Sequence, residues 1–155
     1  MAGKIDARLK ELKIELPNAA APAANYVPFV RTGNLLFTAG QLCMWNGERR
    51  FVGKLGREYT VEQGQQAARL AGLNILAQAK AALDGDLDRI QRCVKLTGFV
   101  NSVPEFTEQP RVVNGASDLI VEVLGDAGRH ARTAVGVNVL PFDLTVEIDA
   151  VFEVR

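Results

Sequence analysis

The sequence predicts an α+β fold in which two long helices cover one face of a mixed β-sheet. Three observations support this. Apolar and polar residues alternate in short segments towards both ends, two longer segments place apolar residues three or four apart, and turn-forming residues separate them. The expected order is β-β-β-α-β-α-β-β after a short N-terminal helix. No repeat or linker divides the chain, so residues 1–155 are expected to form a single domain.

Residues 1–24 are expected to form a helix and an extended arm. Ile5, Leu9 and Leu12 have helical spacing within residues 4–13. The stretch that follows is rich in proline and alanine, which favours an extended path over the surface.

Three strands are predicted next. Thr32-Gly33-Asn34 separates two apolar runs, VPFVRT and LLFTAGQLCM, and this pattern indicates a β-hairpin. Asn46-Gly47 is a strong signal for a second hairpin turn, and it leads into a third expected strand near FVGKL, residues 51–55.

The clearest helix begins at Thr60, because Thr60 and Gln63 have the spacing of a capping box. Apolar residues then recur on one face to about Leu83, and Asp84-Gly85-Asp86 ends the helix. A strand is expected at CVKLTGFV, residues 93–100.

The second long helix is expected at about residues 112–124, followed by Gly125 at the position of a C-terminal cap.

The closing segment, HARTAVGVNVLPFDLTVEIDAVFEV, alternates like two half-buried strands. If PFDL is a four-residue hairpin loop, Val139 pairs with Val146. This register sets Arg132 opposite Glu153, and Glu147 opposite Asn138.

Arg132 and Glu147 would then share the face that points away from the core, over a floor of small residues, Ala134 and Gly136. They would be six residues apart, or roughly 20 Å, so a neighbouring subunit would have to bring them together. This arrangement suggests a pocket at a subunit interface. The alternative is a strand-end arginine and a solvated glutamate that bind nothing.

Composition narrows the possible functions. Lys plus Arg and Asp plus Glu both number 18, so the net charge is zero and a nucleic-acid partner is not favoured. No segment is apolar enough for a signal peptide or a membrane helix, and the two cysteines set no disulfide framework, so a cytoplasmic location is expected. The single histidine, His130, argues against a zinc site, and no cofactor motif is present, so neither a metal nor a cofactor is expected.

Several motifs between about Asn25 and Val154 resemble the Rid (reactive intermediate deaminase) superfamily, also labelled endoribonuclease L-PSP. They are the tyrosine of NYVPFV, GNLLFTAGQ, VKLTGFV, the helix start at Asn114, and HART…V…LP…VEIDAVFEV. The chain is most similar to the longer members of about 150 residues, and it departs from the shorter archetype at Ala134 and at Ala24-Asn25.

The resemblance implies a chorismate-mutase-like fold and a cytoplasmic homotrimer with clefts between subunits. It implies hydrolysis of 2-imino acids to 2-oxo acids and ammonia without a cofactor. Arg132 would bind the substrate carboxylate and Glu147 would activate water. The positions that match further pocket residues are Tyr26, Asn114, Gly40 and Ala134.

Two other functions stay open. The protein could be a non-catalytic trimer that binds small carboxylates and regulates or protects other proteins. Ribonuclease activity, suggested by the older label, fits poorly with zero net charge and a single histidine.

Overall fold

The structure is a computed structural model that describes residues 3–22 and 24–155. Three helices and a sheet of six strands make up most of the molecule, and two further short strands form a separate hairpin. In chain order the elements are α1 (Lys4–Glu11), β1 (Phe29–Thr32), β2 (Leu35–Thr38), β3 (Gln41–Leu42), β4 (Met44–Trp45), β5 (Glu48–Arg49), α2 (Val61–Ala82), β6 (Ile90–Asn101), α3 (Gln109–Leu124), β7 (Ala131–Val137) and β8 (Val146–Val154). In the described part of the chain, no helix has the length and apolar character needed to span a bilayer.

The main sheet is mixed, with the strand order β1-β2-β8-β6-β7 and with β3 also paired to β8. All neighbours are antiparallel except β6 and β7, which run parallel. The chain between β6 and β7 forms α3, which supplies the crossover that a parallel pair requires. The predicted α+β class with a mixed sheet is therefore confirmed.

The expected closing hairpin is wrong. The last two strands do not pair, because β6 lies between them and binds both. Residues 141–143 form a short 3₁₀ turn, not a hairpin loop. The predicted pairing of Val139 with Val146 is therefore absent, and the register opposite Arg132 is Leu96.

The new register also changes the faces of the sheet. Arg132 lies in one row with Leu96 and Ala150, and both of these are buried under the helices. Glu147 lies in a row with Phe99 and Val135, on the opposite face. The two charged residues therefore do not share a face, contrary to the sequence prediction.

The expected third strand at residues 51–55 is also absent as a regular element. Only isolated bridges form there, from Val52 to Leu144 and from Leu55 to Tyr59 and Ser102. Phe51 and Gly53 in this stretch, and Gly56 directly after it, have positive φ angles, which interrupt a strand. The preceding turn does form as predicted, with positive φ at Asn46 and Gly47 between β4 and β5.

Both long helices pack on one face of the sheet, as predicted. The capping box of α2 forms, since Thr60 accepts from the Gln63 backbone and the Gln63 side chain accepts from Thr60. α3 begins three residues before the expected start and ends at Gly125, whose φ is 64°. The core between the layers is closed by leucine, isoleucine, valine and alanine from both helices and from β6 and β8.

Two glycines allow close contact between these layers. A Cβ at Gly98 on β6 would lie 2.6 Å from Cγ2 of Val113 on α3. A Cβ at Gly115 on α3 would lie 2.7 Å from the carbonyl carbon of Gln65 on α2. Close helix packing at these points fixes the position of α3, and α3 in turn carries the residues that surround Arg132.

Candidate functional site

Arg132 is held on the helix side of β7 by oxygen acceptors from α3. Its Nη1 donates to Oδ1 of Asn114 at 2.7 Å and to Oγ of Ser117 at 3.2 Å, and its Nη2 donates to the carbonyl of Pro110 at 3.2 Å. No carboxylate in the described residues forms a salt bridge with it. We call Arg132, Asn114, Ser117 and the Pro110 carbonyl the arginine cluster. It leaves a partly exposed, fixed positive charge that an anion can neutralise.

His130 extends this cluster through Ser117. Oγ of Ser117 lies 2.9 Å from Nε2 of His130, and Nδ1 of His130 lies 2.6 Å from the carbonyl of Gly128. A carbonyl only accepts, so Nδ1 carries a proton, and in the tautomer with a bare Nε2 the Ser117 hydroxyl donates to that nitrogen. This direction turns the lone pairs of Ser117 towards Arg132.

Glu147 lies on the open face of β8, against the loop that joins β2 and β3. A Cβ at Gly40 would lie 2.9 Å from Cδ of Glu147, so the carboxylate lies directly against the backbone at this glycine. Burial raises the pKa of Glu147, and the charge of nearby Asp149 raises it further. We call Glu147, Asp149 and Gly40 the glutamate patch. A carboxylate with a raised pKa is a better base than an ordinary solvated one.

Asp149 shares the open face two residues further along β8. Burial raises its pKa as well, while Lys95 and a hydrogen bond with Thr97 act in the opposite direction. Two carboxylates with raised pKa values on one strand are unusual for a solvated surface, where such groups ionise freely.

Tyr26 and Gly40 line the same cavity beside the glutamate patch. The cavity has a volume of about 290 Å³, and most of its wall comes from the arm at Ala20–Pro22, from residues 39–44 and from α2. The Tyr26 side chain is 55% exposed. Within one chain, Gly40 therefore lies both in the cavity wall with Tyr26 and against Glu147, and Arg132 is bonded to Asn114.

The sequence-predicted site residues therefore form two groups on opposite faces of one sheet. Ala134 follows Arg132 on β7, opposite Gly98, and is partly buried against the core. The arginine cluster and the glutamate patch cannot meet within one chain, because the strands between them separate the two faces.

Sequence reasoning missed Ser117, the Pro110 carbonyl and the influence of Asp149. Ser117 follows Asn114 by three residues, so helical spacing alone places both on one face of α3. No sequence signal marks the Pro110 carbonyl, because its position beside Arg132 depends on where α3 starts. Asp149 alternates with Glu147, but the sequence does not reveal that both are partly buried.

Comparisons with known proteins agree with this architecture. Residues 6–152 match a family model described as "YjgF/chorismate_mutase-like, putative endoribonuclease". Protein TCP17 of Trypanosoma cruzi is 53% identical over 155 residues, which cover 99% of this chain and 96% of that protein.

Two solved structures show how the likeness varies. Protein Atu1372 of Agrobacterium tumefaciens is 56% identical, with a TM-score of 0.90 over 97% of this chain and 94% of that one. Escherichia coli TdcF, solved with bound serine, is 26% identical, with a TM-score of 0.60 over 90% of this chain and 93% of that one. The family model spans nearly the whole chain, so the protein belongs to the YjgF/chorismate-mutase-like family, also called the Rid or L-PSP family.

Proposed function

We propose that the protein is an imine and enamine deaminase that hydrolyses 2-imino acids to 2-oxo acids and ammonia. The observation that carries the proposal is the arginine cluster. Arg132 is oriented by three neutral acceptors and has no carboxylate partner among the described residues. A planar guanidinium fixed in this way suits a bidentate grip on a substrate carboxylate.

Glu147 is the proposed base. It takes a proton from water as the water oxygen adds to the C=N carbon, and it gives that proton to the nitrogen, which forms a neutral tetrahedral carbinolamine. It then takes the proton of the new hydroxyl group and delivers it to the amino group, so that the C=O bond forms, the C–N bond breaks and ammonia leaves a 2-oxo acid. The partly buried position of Glu147 and its raised pKa support this role.

The proposed site lies between subunits of a homotrimer. The open face of the sheet carries large exposed apolar residues, including Val30, Phe37 and Val135. A sheet with helices on one face commonly buries such a second face against another layer. Because β7 is an edge strand of the sheet, subunit contact that also covers this edge would bring the arginine cluster of one chain to the glutamate patch of the next.

The bound serine of TdcF supports a small ligand with a carboxylate. Serine is an amino acid, so its carbon skeleton and carboxylate correspond to those of a 2-imino acid. The same ligand class also suits a non-catalytic trimer that binds small carboxylates, because the arginine cluster needs no base in order to bind.

The test measures the loss of 2-iminobutanoate that a threonine dehydratase generates in the assay. Wild-type protein should accelerate this loss, and Arg132→Lys should abolish the acceleration while the oligomer stays intact. Glu147→Gln should keep the binding of 2-oxobutanoate but slow hydrolysis. Wild-type protein that binds 2-oxobutanoate without accelerating the reaction would support the non-catalytic alternative and overturn the enzymatic one.

Endoribonuclease activity, which the family description names, fits this protein less well than imine hydrolysis does. Net charge is zero, whereas phosphate binding favours a basic surface. Incubation of wild-type protein and Glu147→Gln with single-stranded RNA tests this directly, and cleavage that Glu147→Gln lacks would support a nuclease.

A further inference from the structure

The cavity beside Gly40 is lined by three buried amide side chains, Gln41, Asn74 and Gln78, that the proposed chemistry does not use. Asn74 and Gln78 lie one turn apart on α2 and are only 6% and 2% exposed. Both line the cavity, together with apolar side chains such as Leu42, Met44 and Phe142. We call this cavity the acceptor pocket, for the reason that follows.

Hydrogen bonds to carbonyl groups fix how both amides are turned. Nδ2 of Asn74 donates to the carbonyls of Met44 at 2.7 Å, Leu70 at 3.0 Å and Leu42 at 3.4 Å. Nε2 of Gln78 donates to the carbonyl of Ala20 at 2.8 Å. A flipped amide would set oxygen against these carbonyl oxygens, so the amide oxygens must point elsewhere.

In the described part of the chain, neither amide oxygen accepts a hydrogen bond. Within residues 3–22 and 24–155, no donor lies within hydrogen-bond distance of Oδ1 of Asn74 or Oε1 of Gln78. Both side chains line the cavity, which places the two amides at its wall. An apolar cavity therefore offers two neighbouring acceptors at one end.

The charge of the lining restricts the ligand further. None of the described residues that line the pocket is charged at neutral pH. A cationic donor would lose its hydration without a counter-charge, and an anion would meet two acceptor oxygens, so both are disfavoured. A neutral hydroxyl or N–H group avoids both costs.

We propose that the acceptor pocket binds an apolar group that ends in a neutral hydrogen-bond donor. This inference rests on the proposed function in one respect: Gly40 joins the pocket to the glutamate patch, so the group is the side chain of the 2-imino acid. Asn74 and Gln78 select the donor, and the apolar wall selects the body of the side chain.

The first test uses neutral fragments, which need neither Arg132 nor catalysis. 4-Methylphenol, toluene and 4-methylbenzoate share one body and differ only in their polar end. NMR titration of the ¹⁵N-labelled protein should shift the side-chain amides of Asn74 and Gln78. One buried hydrogen bond should make 4-methylphenol bind about fivefold more tightly than toluene, with 4-methylbenzoate weakest. Equal or tighter binding of toluene would overturn the proposal without any variant.

Gln78→Met then removes one acceptor at nearly constant volume. The preference for 4-methylphenol over toluene should fall, whereas Gln66→Met, on the exposed side of the same helix, should leave it unchanged. An unchanged preference in a folded Gln78→Met protein would show that Gln78 does not select the donor.

A second arm separates this inference from the proposed function. 4-Hydroxyphenylpyruvate should inhibit imine hydrolysis more strongly than phenylpyruvate does. Fragment selectivity without any imine hydrolysis would leave the pocket standing and remove the deaminase. Hydrolysis of 2-iminobutanoate with no fragment selectivity would support the deaminase and overturn the acceptor pocket.

Discussion

Arg132 is a charged side chain that its neighbours orient in the folded protein. Three acceptors from α3 hold the guanidinium, and each is neutral, so its charge is not cancelled. Side-chain entropy that would otherwise be lost on binding is already lost in the folded protein. In the proposed function, the arginine cluster would therefore contribute to affinity and Glu147 to the chemical step.

Replacing Ser117 by alanine should weaken ligand binding without changing the fold. Arg132 loses one of its three acceptors, which is worth about 1 kcal/mol, or roughly fivefold in the Kd of 2-oxobutanoate. Ser117→Thr keeps the hydroxyl and should retain most of the affinity. Isothermal titration calorimetry on both variants checks this. Equal Kd values for Ser117→Ala and the wild-type protein would show that Ser117 does not position Arg132.

The pH dependence of hydrolysis should report on Glu147. The base must be ionised, so the rate falls as pH drops through its pKa, which burial and then Asp149 raise. Asp149→Asn removes the neighbouring charge, lowers that pKa and moves the acid limb of the rate profile to lower pH. Glu153→Gln, six residues from Glu147 on the same strand, is the control and should leave the limb in place. A limb that does not move in Asp149→Asn would exclude this coupling.

At the scale of elements, a carboxylate from another part of the chain binds the N-terminus of helix α1. Asp88 accepts hydrogen bonds from the backbone N–H groups of Lys4 and Ile5, both at 2.7 Å. These bonds hold the pKa of Asp88 below its ordinary value of 3.8, and the bond from Ile5 has the larger effect. The folded state therefore favours the ionised form. The stabilisation is present above the ordinary value and is lost as pH falls through the lowered pKa.

Asp88→Asn should therefore reduce the free energy of unfolding by up to about 1 kcal/mol at neutral pH, because it removes the charge and one of the two acceptor oxygens. The difference from the wild-type protein should shrink as the pH falls below about 4. Urea denaturation at several pH values measures it. Asp84→Asn, whose carboxylate is 93% exposed, provides the control and should have little effect. A difference that stays constant at all pH values would mean that the charge of Asp88 is not involved.

Local signals predicted the elements better than their pairing. Thr60 and Gln63 marked the start of α2, and Asn46-Gly47 marked a turn, because each signal acts over a few residues. Pairing depends on distant segments. The strands around Arg132 and Glu147 alternate in the same way whether they form a hairpin or flank a third strand, so the sequence could not reveal β6 between them.

For the molecule as a whole, the observed topology and the predicted hairpin both imply that Arg132 and Glu147 can meet only across a subunit interface. The hairpin register separated Arg132 and Glu147 along one face, while the structure places them on opposite faces. In both cases one chain cannot bring them together. The candidate residues were thus identified from their motifs, but their geometry depended on long-range contacts that only the folded chain supplies.

The composite site predicts that two inactive variants restore each other. Arg132→Lys keeps Glu147, and Glu147→Gln keeps Arg132, so a mixed oligomer contains clefts in which both residues are native. If each cleft takes Arg132 from one chain and Glu147 from its neighbour, random mixing in equal amounts leaves about one quarter of the clefts intact. Co-refolded mixtures should then regain about a quarter of the wild-type rate.

The control is a mixture of the two variants that are folded separately and assayed before their subunits can exchange. It should stay as inactive as each variant alone, because no cleft then combines the two chains. A second mixture combines wild-type protein with a chain that carries both substitutions. Its native clefts form only between wild-type neighbours, so its activity is the reference value for random assembly. If the co-refolded variants stay inactive while this second mixture is active, Arg132 and Glu147 do not act together across an interface. The glutamate patch would then need a different partner.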